Sequence, residues 1–229
     1  MSIYFTGDIH GHIDISKLNK KNFKDSERLT KNDFLIILGD FGLIWCGEKK
    51  DSWWLDWLNN QPFTTLFIDG NHENFNLLYE FPQEKWKGGL VHRIRDSIFH
   101  LQRGEVYEID GKRFFTFGGA SSIDKMHRIP NSSWWEQEIP TKEEIQYGVD
   151  NLDKYDHFDY ILTHSGPLKY IQEQYAYMNG VQEEQELQSF FRYIDKFVNY
   201  DHWYFGHFHL DEDFSDKIHC LYDKIIKIE

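Results

Sequence analysis

Five short apolar runs in this chain each end at a residue able to hold a metal ion or move a proton, and this punctuation constrains the fold more than any other feature. Ser2–Thr6 runs into Gly7-Asp8-Ile9-His10, Phe34–Leu38 into Gly39-Asp40, and Thr65–Ile68 into Asp69-Gly70-Asn71-His72-Glu73. Tyr160–Thr163 leads to His164, and Trp203–Phe205 leads to Gly206-His207-Phe208-His209. Runs of this length and composition, separated by helical stretches, read as buried strands of an α/β fold. Such folds place ligand sites just past the carboxyl ends of their strands, so these residues are expected to meet in one cleft.

A length of 229 residues suits one α/β domain spanning 1–229. The formal charge of −13 argues against an extended nucleic-acid surface, which needs clustered Lys and Arg. An anionic substrate would therefore be gripped locally, by metals. Cys46 and Cys220 form no CxxC pair, so both are expected to be small buried side chains in a reducing interior. No signal-peptide pattern and no apolar stretch of about 18 residues is present, so no membrane association and a cytoplasmic location are expected.

Between the strands, a short helix is expected over Ile13–Lys20. A second, capped by Ser52, would run over Trp53–Asn60 with Trp53 and Trp57 on one core-facing side, and a third lies around Asn74–Glu80. From Leu90 the pattern turns to hairpins: Leu90–Arg95, Ile98–Gln102, then Val106–Ile109 and Arg113–Phe117 joined by Asp110-Gly111. These predict a second sheet. Thr141 and Glu144 have capping-box spacing for a helix reaching about Tyr155. Further helices are expected near Leu168–Gln174 and Gln182–Phe197, with terminal strands around Lys217–Cys220 and Lys224–Ile228.

In extended backbone, residues two apart point the same way, so Asp8-x-His10 and His207-x-His209 could each address one point in space. Asp40 offers two oxygens able to bridge two cations, Asn71 an amide oxygen and His164 another imidazole. Histidine and carboxylate without thiolate suit manganese, iron, zinc or similar divalent ions. Two such ions about 3.5–4 Å apart can drive in-line displacement at phosphorus. A single DxH or HxH pair is ordinary and Gly-Asp is a common turn, but turn chemistry gives no reason for histidines to follow three separate strands.

Taken together, Gly7-Asp8-Ile9-His10-Gly11, Gly39-Asp40, Gly70-Asn71-His72-Glu73, Thr163-His164 and Gly206-His207-Phe208-His209 resemble the signature of the calcineurin-like metallophosphoesterase superfamily, in its order. The resemblance implies a four-layer αββα sandwich with a dinuclear site, manganese being favoured. By position, Asp8, His10, Asp40 and His209 would bind one metal and Asp40, Asn71, His164 and His207 the other, with Asp40 bridging. His72 matches the residue that stabilises the transition state or protonates the leaving oxygen. The implied activity is hydrolysis of phosphomonoesters or phosphodiesters by in-line attack of a bridging hydroxide.

Protein Ser/Thr phosphatases of that superfamily carry arginines that this chain lacks: here Asp40 is followed by Phe41-Gly42-Leu43-Ile44, and Asp69 precedes Gly70. The aspartate partner of the catalytic histidine is also absent at the corresponding place. The segment 118–139, too long for an ordinary connection, is expected to cover the cleft, with Arg128 and neighbouring Lys125 or His127 pairing with a substrate phosphate. The substrate class is a small phosphate ester or a nucleotide. The rival readings are a nuclease or nucleotide hydrolase of the same chemistry, and a catalytically silent binding scaffold. His12, His92, His100, His127, His157, His202 and His219 receive no metal role, and the sequence specifies no oligomeric state.

Overall fold

The computed structural model describes residues 1–47, 49–174 and 184–228, and in it the apolar runs become strands of two mixed sheets. In the first sheet β1 (Ile3–Thr6), β2 (Phe34–Ile37) and β3 (Thr64–Phe67) are parallel neighbours. There β13 (Ile225–Ile228) pairs antiparallel with β1 on one side. On the other side β6 (Ile98–Leu101), β5 (Gly89–Arg95) and β4 (Gln83–Trp86) continue from β3. The second sheet runs β11 (Glu212–Asp213), β12 (Ile218–Cys220), β10 (Tyr200–Phe205), β9 (Phe158–Thr163), β8 (Lys112–Phe117) and β7 (Val106–Ile109).

Alternation along the strands builds four layers. Ile3 and Phe5 of β1 turn inward with Ile36, Phe114, Tyr160 and Tyr204 to form the core between the sheets. Tyr4, Leu35 and Ile37 turn outward to Leu55 and Leu58 of α1 (Lys49–Asn59). On the far side Phe115, Phe117 and Trp203 pack beneath Leu152 of α3 (Lys142–Leu152) and Leu187, Phe190, Phe191 and Ile194 of α5 (Gln185–Phe197). The expected αββα sandwich is therefore present. The strands ending at candidate ligands are β1, β2 and β3 of one sheet and β9 and β10 of the other, so their carboxyl ends share one edge.

Local expectations fare unevenly. The capping box of α3 forms, Thr141 Oγ1 accepting from Glu144 N while a Glu144 carboxylate oxygen accepts from Thr141 N. Asp110 and Gly111 take the left-handed conformations that a two-residue hairpin requires. The hairpin region, however, divides: β5 and β6 extend the first sheet and only β7 and β8 open the second. The stretch after β1 forms a 3-10 turn over Ile15–Leu18. Helix α1 begins before Ser52, because the Asp51 carboxylate gathers the backbone N–H groups of Trp45, Cys46 and Gly47 ahead of it. Trp53 stands 59% exposed rather than in the core, and Cys46 is exposed, whereas Cys220 is buried as expected. Of the helix expected over Gln182–Phe197, its first two residues lie outside the described ones.

Candidate metal centre

Several strands deliver their candidate ligands through tight backbone turns. Among the described residues seven non-glycine residues have positive φ, and four of them are His10, Asp40, His207 and His209, at 42°, 46°, 65° and 52°. Such conformations cost about 1–3 kcal/mol each and cluster at functional sites. They also correct the extended-backbone argument. His207 packs against His164, ring centroids 5.0 Å apart, while His209 packs against His10 at 4.9 Å and reaches Asp8 Oδ2 at 3.3 Å. The His-x-His pair thus splits between two ends of the cleft instead of addressing one point.

The glycines of the motifs make room for this crowding. A Cβ on Gly70 would lie 2.1 Å from Asp40 Oδ1, and one on Gly206 would lie 2.2 Å from Asp8 Oδ1. Backbone bonds tie the loops together: Ile9 and His10 both donate to Asp40 O, His72 N donates to Asp40 Oδ1 and His207 N to Asp8 Oδ1. Glu73, the last residue of its motif, is buried and accepts from Phe41 N and Gly42 N, pinning the loop behind Asp40. Its burial, reinforced by Asp40, pushes its carboxyl well above the usual range.

The donors suit a pair of divalent cations. Asp8 and Asp40 are buried together, and among the described residues Asp8 Oδ2 makes no regular hydrogen bond, with His209 Nε2 3.3 Å away. His10 Nδ1–H donates to Asp14 Oδ2 at 2.8 Å, and His164 Nδ1–H donates to Leu38 O at 2.8 Å. Both rings therefore turn Nε2 inward, to Asp40 oxygens at 3.2 and 3.3 Å, with His164 also 3.1 Å from Asn71 Oδ1. Electron pairs aimed at one another in a buried site call for positive charge between them. Without metal a proton meets that need at His10: burial opposes its protonation, but Asp40, Asp8 and Asp14 raise its pKa to about 9. Burial likewise opposes ionisation of Asp40, yet His164, His10 and His72 hold its pKa well below the usual carboxylate range. His207 stays neutral, burial and His164 lowering its pKa to about 3.

His72 lies at the mouth, its side chain 30% exposed and its Nε2 3.9 Å from Asp40 Oδ2. Burial and Arg128 lower its pKa against the pull of Asp40. The Arg128 guanidinium lies against this ring, Nη1 3.1 Å from Nδ1 and Nη2 3.3 Å from Nε2. Arg128 also donates through Nε to Asp124 Oδ1 at 2.6 Å, so it combines a local ion pair with a place beside His72. Of its expected companions, Lys125 lies over the Trp134 ring and His127 is exposed. Trp135 is buried against Trp45 and anchors the end of the segment.

Several supporting residues went unread in the sequence. Asn71 Nδ2 donates to Ser122 Oγ, whose hydroxyl donates to Glu138 Oε2, so the amide oxygen is left facing His164. Asp69 pairs with buried Arg103 at 2.6 Å and accepts from His100, stiffening the strand end that carries Asn71. Asp14 and Tyr222 flank His10 and His209. Only Asp14, four residues from His10 in a polar turn, carried a local signal.

The model of the calcineurin-like phosphoesterases matches residues 1–211, and the chain belongs to that family. The chain is 28% identical to lariat debranching enzyme A of Xenopus laevis over 152 residues, 56% of this chain but only 24% of that protein. It is similar to the structure of a phosphopantetheinyl hydrolase from Mycobacterium tuberculosis, at 16% identity and a TM-score of 0.47 over 96% of this chain and 88% of that one. A protein of unknown function from Aquifex aeolicus gives 16% identity and a TM-score of 0.44 over 99% and 95%. Among the described residues no helix is long and apolar enough to cross a membrane.

Proposed function

We propose that the chain is a single-domain dinuclear phosphodiesterase acting on small phosphate esters or nucleotides, with phosphomonoesters as weaker substrates. The observation that carries this reading is the convergence of two buried carboxylates, four imidazoles and an amide on one cleft, with the inner nitrogens of His10 and His164 turned toward Asp40. In this reading Asp8, His10, Asp40 and His209 hold one ion, and Asp40, Asn71, His164 and His207 hold the other. Two divalent cations bound there, manganese the first choice, would supply a water made nucleophilic near neutral pH and charge to offset that developing on the phosphoryl oxygens.

The chain's own residues do the rest. His72, at the cleft mouth, stabilises the departing ester oxygen, by a hydrogen bond from its neutral ring or by a proton taken up once the substrate's charge offsets Arg128. Arg128 holds that ring and offers Nη1 and Nη2 to a phosphoryl oxygen. One guanidinium beside the cleft suits the single charge of a diester better than the double charge of a monoester, which favours the diester. The net charge of −13 disfavours a long nucleic-acid footprint, while the similarity to a lariat debranching enzyme keeps nucleotide esters and short strand ends among the substrates to be tried. Cys46 lies exposed and Cys220 buried, an arrangement that fits a reducing, cytoplasmic setting.

The test is hydrolysis of bis-p-nitrophenyl phosphate by metal-depleted protein reloaded with Mn²⁺, compared with p-nitrophenyl phosphate. Faster turnover of the diester, lost on chelation and on Arg128→Ala, is expected. Turnover of neither ester with two ions bound would leave the silent-scaffold reading standing; preference for the monoester would reverse the bond assignment.

A further inference from the structure

The residue that binds the two ends of the sequence together at the cleft is Tyr222, which lies beyond the stretch matched by the family model. Its backbone is fixed at several points. Tyr222 N donates to Asp211 Oδ1 at 2.9 Å, while its carbonyl accepts from Lys17 Nζ at 2.5 Å and from Thr6 Oγ1 at 3.4 Å. Leu221 N donates to Phe205 O, and Leu221 O fills the space that a Cβ on Gly7 would need.

From this anchored position the side chain touches both histidines of one end of the cleft. Its ring stacks on His209, centroids 4.5 Å apart and planes 15° from parallel. Its hydroxyl donates to Asp14 Oδ2 at 3.3 Å, the same oxygen that accepts from His10 Nδ1 at 2.8 Å. His209 needs such support: its side chain is 49% exposed and its backbone is left-handed. His10 is its other ring neighbour, edge to face.

Resting on the metal-site reading above, we infer that Tyr222 is a positioning residue for the ion held by Asp8, His10 and His209, aligning one imidazole by stacking and the other through Asp14. Partners of this kind typically govern metal affinity about 10–100-fold. The ion at the Asn71, His164 and His207 end touches none of these contacts and does not depend on Tyr222.

Titration of metal-depleted wild type, Tyr222→Leu and Tyr222→Phe with Mn²⁺, followed by electron paramagnetic resonance, reads each ion separately, because a coupled pair and a lone ion give different spectra. Wild type is expected to fill to a coupled pair. Tyr222→Leu should take up one ion at wild-type affinity and the second about 10–100-fold more weakly, so that a lone-ion spectrum persists where wild type shows the pair. Tyr222→Phe, which keeps the stack and loses the hydroxyl, should weaken the second ion only a few-fold. Wild-type uptake of both ions by Tyr222→Leu, or equal weakening of both, overturns the inference. If circular dichroism shows that the leucine variant does not fold, the phenylalanine variant decides, and an unchanged second affinity overturns it. Wild type that never forms a pair overturns the metal-site reading itself, whereas a wild-type pair with unaffected variants overturns only the role of Tyr222.

Discussion

The side chain of His164 is wholly buried, whereas that of His209 is 49% exposed, although both follow strands of the same sheet. At the deep end the holding contacts are built into the fold. His164 donates to the backbone of the strand-end residue Leu38, and Asn71 is fixed through Ser122 to buried Glu138. At the shallow end His10 and His209 rely on Asp14 and Tyr222, side chains on connecting segments. The difference teaches that one half of the centre should form whenever the sheets form, while the other must be assembled separately. Asp40 faces both halves, with His10 Nε2 at 3.2 Å from one oxygen and His164 Nε2 at 3.3 Å from the other.

The largest effect therefore belongs to Asp40→Asn, which keeps the shape but removes the charge shared by both ends. Loss of diester hydrolysis should exceed the roughly 10²–10³-fold that removal of a single charge-stabilising group costs. Metal analysis should find less than one ion per chain. A variant that kept both ions and most of its turnover would show that the two ends do not share Asp40. Next comes His72→Ala, expected to lower kcat about 10²–10⁴-fold with both ions retained. A loss of ions in that variant, by the same analysis, would move His72 from acid to ligand.

The third prediction sets the two ends against each other directly. In metal-free protein, His164→Ala leaves the Leu38 carbonyl without its buried donor, a cost of about 1–3 kcal/mol. His209→Ala, at a half-exposed place, should change stability by only about 0.5 kcal/mol. Urea unfolding checks both. Equal losses would mean that the shallow end is as much a part of the fold as the deep one.

The strand-end positions of the candidate ligands were legible in the sequence at both ends. Leu38, Thr163 and Phe205 end apolar runs that can only be buried strands, so the residues after them had to lie at one edge of a sheet. What the sequence did not disclose depends on contacts made across long separations. Tyr222 reaches Asp14 over 208 positions, and Arg103 reaches Asp69 over 34. The division of the His207-Phe208-His209 triplet was hidden for a different reason: left-handed backbone at both histidines sends the rings apart, and residue identity alone does not announce it. Sheet membership of β5 and β6 was likewise unreadable, since a hairpin pattern fixes its own pairing and not the neighbour it joins, here β3.

The smallest expected effect tests how firmly the deep end is backed. Behind Asp69, His100 Nε2–H donates to the Asp69 carboxylate at 3.1 Å, leaving His100 Nδ1 to accept from His92 Nδ1–H at 2.9 Å. His92 Nε2 then accepts from Gln83 Nε2–H at 3.3 Å. Every proton in this chain has one direction, and a second proton on His92 would face the Gln83 donor. Burial and His100 together lower the pKa of His92 to about 4, outweighing Asp69. Unfolded His92 titrates near 6.5, so between about pH 6.5 and 4 the unfolded chain binds the extra proton, and stability falls as the solution is acidified. At pH 5 the loss from this group alone should be roughly 1–2 kcal/mol, relative to pH 7.5. Comparing wild type with His92→Gln by urea unfolding isolates it, because other titrating groups such as Glu138 contribute to both. The wild-type curve should drop more steeply through this window than the variant's. Parallel curves would mean that His92 takes up its proton in the folded state, and that the backing of the deep end tolerates that second charge.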